Sequence, residues 1–174
     1  MAELLAKEKI KKALIDLMDA KEFNKISIKD ICGQAGINRS TYYYHYYEQK
    51  EVLQDIIEDL LHKTVDVIED TTPEELRRAL FYGIYQIRKE RRILKIILSS
   101  SCESEYMHAW NDRWLTTSLS STTNAGEPME YRVWYANCIF YVIYGVYRKW
   151  ILEDCRTPEE EICRVLESAI SRLC

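Results

Sequence analysis

Between Ser27 and Lys50 the chain gathers side chains that can bond to phosphate oxygens and to the edges of nucleobases: Arg39, Ser40, Thr41, Tyr43 and Tyr44 in one short run, with Lys29 ahead of them. Arg39 carries a fork of donors that can meet the two acceptors of guanine together, and Lys29 can reach the same atoms singly. The run Ser27–Tyr46 reads as a helix, a glycine-centred turn and a second short helix. Two helices held at a fixed angle are the smallest device that places one of them in a major groove. Other chemistries find little support. There is no glycine-rich phosphate loop and no nucleophile elbow. The six cysteines include no C-x-x-C pair and no histidine cluster accompanies them, so neither a metal nor a cofactor is expected. His62 one turn from Glu58 reads as an exposed helix pair rather than an acid–base site, and an enzyme is not expected.

The elements that must position these groups follow from periodicity and caps. Ile10, Ala13, Leu14, Leu17 and Met18 recur at three–four spacing and give a first helix with one buried stripe. Ser27 is a good N-cap for the second helix, with Asp30 three residues on as a short relative of the capping box. Gly36 ends that helix where a left-handed residue is wanted. Asn38 caps the third helix, whose inner face is Tyr42 and Tyr46. A fourth helix is predicted from Glu48 to Asp70, with the stripe Leu53, Ile56, Ile57, Leu60, Leu61, Thr64, Val65 and Ile68. Thr72 and Pro73 start a helix over 73–99, broken near the charged run Arg88–Arg92, which reads as a solvated junction. A seventh helix carries Tyr106, Trp110 and Trp114; a polar loop covers Ser120 to Pro128; an eighth runs from Met129 to Leu152, apolar on most sides. Thr157-Pro158 repeats the start signal for a last helix striped by Ile162, Leu166, Ala169, Ile170 and Leu173. The expected fold is all-α, about nine helices: a head over 1–47 and a body over 48–174.

Composition agrees. Of 174 residues 47% are apolar and 30% charged, enough for a real core in a helical protein, and only 3 Pro and 5 Gly interrupt it. The net charge is −4, yet residues 1–50 hold 9 Lys/Arg against 7 Asp/Glu, so the basic excess lies with the polar run. No apolar run approaches the ~20 residues that a bilayer requires, and no signal-peptide core is seen at the N-terminus. A cytoplasmic protein with no membrane partner and reduced thiols is expected. Cys32, Cys138 and Cys163 fall on apolar helix faces as small hydrophobes, and a redox role for Cys102 or Cys155 has no positive support.

The stretch Ile28-Lys29-Asp30-Ile31, then Ala35-Gly36-Ile37-Asn38-Arg39-Ser40-Thr41, and Tyr43 with His45-Tyr46 resembles the DNA-binding domain of the tetracycline-repressor family of bacterial regulators. The turn alone is a general helix-turn-helix signal; the Thr-x-Tyr-x-His-Tyr tail leading into a long helix is narrower. Gly145, Trp150 and the Pro-Glu-Glu helix are similar to the variant found in regulators of dihydroxyacetone-kinase operons. The resemblance implies a homodimer on a double-stranded, palindromic operator. It places Asn38, Thr41, Tyr43 and His45 on phosphates, Arg39 and Lys29 on bases, and Ser40 and Tyr44 as secondary contacts, with Ser27 among the DNA-binding residues. Lys50 would reach a phosphate from the start of the fourth helix. The family usually has Lys one position earlier, where this chain has Gln49, so that contact shifts to Lys50 or is lost.

The resemblance also implies a small-molecule effector bound in the body, tilting the fourth helix. The aromatic residues Tyr82, Tyr106, Trp110, Trp114 and Tyr135, with Arg113 for an anionic group, are the candidates for that pocket, although such stripes also make plain core. Helices eight and nine would form the dimer, through Ile139, Tyr141, Val142, Val146, Ile162, Leu166 and Ile170. The competing reading is a helical interaction module that recruits a protein partner with weak or no DNA binding.

Overall fold

The computed structural model describes residues 2–64, 73–120 and 126–172. These form α1 (Ala2–Met18), a 3₁₀ turn at Phe23–Lys25, α2 (Ile28–Ala35), α3 (Arg39–His45), α4 (Gln49–Thr64), α5 (Pro73–Lys89), α6 (Arg91–Leu98), α7 (Glu103–Ser120), α8 (Met129–Leu152) and α9 (Glu159–Ile170). No strand occurs among the described residues. The continuation of α4 through Val65 and Ile68 to Asp70, the Thr72 cap, the middle of the 120–128 loop and Leu173 lie outside the described residues.

The short helices are held by their ends. The Ser27 hydroxyl accepts from the Asp30 backbone N–H at 3.2 Å, and Asp30 Oδ2 accepts from the Ser27 backbone N–H at 2.9 Å, a reciprocal cap. Gly36 terminates α2 at φ 65°, and its N–H bonds back to the carbonyls of Cys32 and Gly33. α9 starts one residue later than its sequence signal suggests. Pro158, not Thr157, is its N-cap, because the Thr157 carbonyl is taken by Trp150 Nε1 at 2.9 Å and by Arg88 Nη2 at 3.5 Å.

One continuous apolar cluster joins the chain from Ile10 and Leu14 of α1, through Leu53 and Leu60 of α4, to Leu94, Trp150 and Leu166. α7 packs on α8, and α5 lies against α9. Gly83 allows α5 to approach closely: a Cβ there would stand 3.4 Å from the Thr64 carbonyl oxygen and 3.6 Å from the Tyr147 hydroxyl. The arginine at the charged α5–α6 junction that points inward, Arg88, lies over the Trp150 ring and donates to the Cys155 carbonyl at 3.1 Å.

Cysteine placement departs from expectation at one position. Cys32 and Cys163 are buried, as apolar neighbours suggest, but Cys138 is exposed on the outer side of α8. Cys102 and Cys155 are buried, and burial pushes both thiols up from their ordinary value, which disfavours the reactive thiolate.

Candidate nucleic-acid interface

α3 is a seven-residue helix that cannot persist alone, so its geometry is imposed from behind. Tyr42 and Tyr46 are buried and anchor it on the head core. The Tyr46 hydroxyl donates to Asp55 Oδ2 at 2.5 Å, crossing to α4. The same carboxylate attracts Lys7 at 3.6 Å and Lys11 at 3.8 Å, while Lys11 also donates to Asp59 at 2.5 Å. Burial raises the Asp55 carboxyl, but the Tyr46 hydroxyl and the two lysines outweigh it, so the group ends below the usual carboxylate range. α1, α3 and α4 are thereby tied at one charged knot.

Outward from this anchor lie the polar groups. Arg39, Ser40, Tyr43 and Tyr44 are exposed, Tyr44 at 73%. Thr41 and His45 are half-buried, and the His45 ring meets Tyr44 edge-on with centroids 5.0 Å apart. Asn38 is committed as the cap: its Oδ1 accepts from the Thr41 backbone N–H at 2.7 Å, the Ser40 hydroxyl at 2.7 Å and the Thr41 hydroxyl at 2.9 Å. Only its amide donors remain for a ligand. Ser27 is likewise committed, since its hydroxyl donates to Asp30 at 2.7 Å. Asp30 also accepts from Lys21 at 2.9 Å. The Ser27 backbone N–H, with Lys21 and the Ser27 hydroxyl, holds its carboxyl far below the usual range.

Charge is sorted in the same sense. Lys7, Lys11, Lys21 and Lys25 are paired with carboxylates. Among the described residues, Lys29, Arg39 and Lys50 are exposed and have no carboxylate within 4.0 Å. Lys9 and Lys12 of α1 are exposed cations as well, so the head's modest basic surplus is shared between α1 and the surface that carries Lys29, Arg39 and Lys50. Gln49 does not occupy an outward position: its Nε2 donates to the Phe23 carbonyl at 3.4 Å, inside the head. Lys50 is the exposed cation at the start of α4. Tyr47, 80% exposed just beyond α3, belongs to the same surface. Its neighbour Tyr46 is core, and only the alternation of faces after the helix end distinguishes the two.

The aromatic candidates of the body take several different environments. Tyr106 and Trp110 are buried in the core. The Trp110 ring stacks on Tyr147 with planes 13° apart and meets Phe140 and Tyr144 edge-on. Trp114 is fixed by donation from Nε1 to the Ala136 carbonyl at 2.8 Å, Tyr135 stacks on Tyr131, and Tyr82 is exposed on α5. Two of the six candidates border open hollows: Tyr82 one of about 570 Å³ along α5, with Phe81 and Tyr85, and Arg113 a groove of about 480 Å³ between α4 and α7, lined by Ile57, Leu61 and Ala109 with Lys50, Glu105 and His108. Arg113 Nη2 lies 3.3 Å from His62 Nδ1.

The dimer candidates also divide. Ile139, Ile162, Leu166 and Ile170 are buried within the chain itself, because the α9 stripe faces α5 and α8. Val142 and Val146 are half-buried, and Tyr141 is exposed. The outer face of α8 is made by Tyr131, Trp134, Cys138 and Tyr141. With the exposed Val165 of α9 these are the groups left for a partner.

A head whose second and third helices form a helix-turn-helix, set on a helical body, defines the class. No protein-family model matches the chain. It is 26% identical over 110 residues, 62% of its length, to the HTH-type transcriptional regulator YxbF of Bacillus subtilis (strain 168), and the match spans 27% of that relative. A TetR-family transcriptional regulator from Syntrophomonas wolfei superposes with a TM-score of 0.76 at 17% identity, over 97% of this chain and 94% of that one. The dihydroxyacetone kinase operon activator DhaS superposes with a TM-score of 0.63 at 18% identity, over 97% and 98%. The fold is that of the TetR-type transcriptional regulators, over nearly the whole chain. No helix among the described residues is long and apolar enough to cross a membrane.

Proposed function

We propose that this chain is a sequence-specific DNA-binding transcriptional regulator of the tetracycline-repressor type, acting on a palindromic duplex as a homodimer, and not an enzyme. The observation that carries the reading is α3: Arg39, Ser40, Tyr43 and Tyr44 face solvent on a helix held from behind by Tyr42 and Tyr46. Residues 1–47 serve as the reading head and 48–174 as the effector-binding and dimerisation body. Arg39 and Lys29 read bases; Thr41, Tyr43, His45, Lys50 and the Asn38 amide set the register on phosphates.

The second copy packs on the outer face of α8. Exposed aromatics clustered on one helix mark a protein–protein surface, and a two-fold axis lets the same face serve both subunits. The α4–α7 groove is where an effector would bear on α4, the helix tied to α3 through Asp55. Selection of duplexes from a random pool, followed by footprinting, tests the reading. It expects two protected half-sites centred about 34 Å apart, one turn of the double helix. Failure to enrich any palindrome favours the interaction module.

A further inference from the structure

The charged α5–α6 junction plays no part in the α3 surface. With Lys95 it lines a cleft of about 600 Å³ between the end of α1, α6 and the end of α8. The floor is apolar and buried, made by Met18, Ile96 and Ile151. The walls carry four cations, Lys89, Arg91, Arg92 and Lys95, against two carboxylates, Asp19 and Asp154. Both carboxylates are engaged: Asp19 with Arg92 at 3.2 Å and Asp154 with Lys95 at 2.5 Å. Arg91 bonds a backbone carbonyl, that of Arg88, at 3.1 Å, and Lys89 sits 4.3 Å from the centroid of Tyr85. Neither has a carboxylate within 4.0 Å among the described residues. Lys89 and Arg91 are thus two cations outside any ion pair, while Arg92 is shared between Asp19 and Asp16 of α1.

We propose that this cleft binds a small phosphorylated molecule. A phosphate monoester carries close to two negative charges at neutral pH, which Lys89 and Arg91 can meet together. The guanidinium forks of Arg91 and Arg92 suit its oxygens better than they suit chloride. The cleft is larger than a bare ion needs, and its apolar floor fits a carbon skeleton. The site also lies on the seam between head and body. Arg92 pairs with Asp16 at 3.0 Å as well as with Asp19, so it ties α6 to α1. A phosphate drawing on Arg92 competes with both aspartates, so occupancy and the α1–α6 tie oppose one another. Regulation of DNA binding through this tie rests on the function proposed above; the binding site itself does not.

Isothermal titration of the full chain, without DNA and at constant low ionic strength, tests the site with inorganic phosphate and phenyl phosphate as probes and chloride as control. Saturable binding is expected for both phosphates, tighter for phenyl phosphate. Arg91→Ala should weaken both by about tenfold. Asp19→Asn, which removes a competitor for Arg92, should tighten both. Both positions are exposed, and far-UV circular dichroism checks that each variant keeps its helices, with Lys89→Ala as a third variant that should also weaken binding. Absence of saturable binding in the wild-type chain overturns the proposal, as do affinities that none of the three variants changes. Because no duplex is present, either result leaves the DNA-binding reading to its own experiment.

Discussion

The aromatic residues of the head and those of the body are the same in kind and opposite in use. At 42–47 five tyrosines and a histidine lie on α3 and the two residues after it, a segment too short to bury all its sides, so Tyr42 and Tyr46 go inward while Tyr43, Tyr44 and Tyr47 are exposed. On α7 and α8, which are 18 and 24 residues long, Tyr106, Trp110, Phe140, Tyr144 and Tyr147 meet one another and close the space between the helices. The contrast teaches that an aromatic side chain marks a site only where the helix carrying it lacks a neighbour to cover it. The body cluster is core, and the head cluster is surface held in place by core.

The contrast can be broken most severely at Trp110. Trp110→Ala should destabilise the chain by about 3–5 kcal/mol, measured by urea denaturation, because the four rings around it cannot collapse into the void. If the ring lined an open pocket instead, the loss would be slight. The outer face of α8 gives the next effect. Trp134→Glu with Tyr141→Glu should convert the proposed dimer to a monomer in sedimentation velocity and leave helicity unchanged, since both side chains are more than half exposed in the single chain. Two desolvated aromatics are worth ~2 kcal/mol or more each at an interface core.

The smallest effects sharpen the head. Ser27→Ala should cost about 1 kcal/mol by loss of the α2 cap. The Asp30 half of that cap adds an acid dependence. Its folded carboxyl is depressed, so its contribution is complete above the ordinary value of 3.8 and is lost progressively as the pH falls from there toward the folded value. A thermal melt series from pH 6 down to pH 2 should therefore show the gap between the wild type and Ser27→Ala narrowing without closing, because protonation weakens the bond from the Ser27 hydroxyl to the carboxylate but leaves the bond that the hydroxyl accepts from the Asp30 N–H.

Much of this was legible from residue order. The Ser27, Gly36 and Asn38 signals fix α2 and α3 because caps and left-handed turns depend on local chemistry alone. The split between Tyr42 and Tyr43 follows from helical period. What periodicity cannot supply is the identity of the opposing surface. Ile162, Leu166 and Ile170 make one stripe, and nothing in their spacing says whether it faces its own α5 or a second subunit. α8 reads as apolar all round, yet Trp134 and Tyr141 are open while Phe140 and Ile143 are sealed, a distinction created by where α7 and α9 lie. Gln49 shows the same limit on a smaller scale, since its partner is the carbonyl of Phe23, 26 residues away.

The central claim, that α3 reads sequence, is tested most directly by fluorescence anisotropy with the selected duplex and a scrambled one, for the wild type and Arg39→Ala at equal salt. The wild-type chain should prefer the selected duplex, and Arg39→Ala should reduce that preference by about 1–3 kcal/mol per half-site while binding to the scrambled duplex changes little. An Arg39→Ala protein that discriminates as well as the wild type would contradict the account.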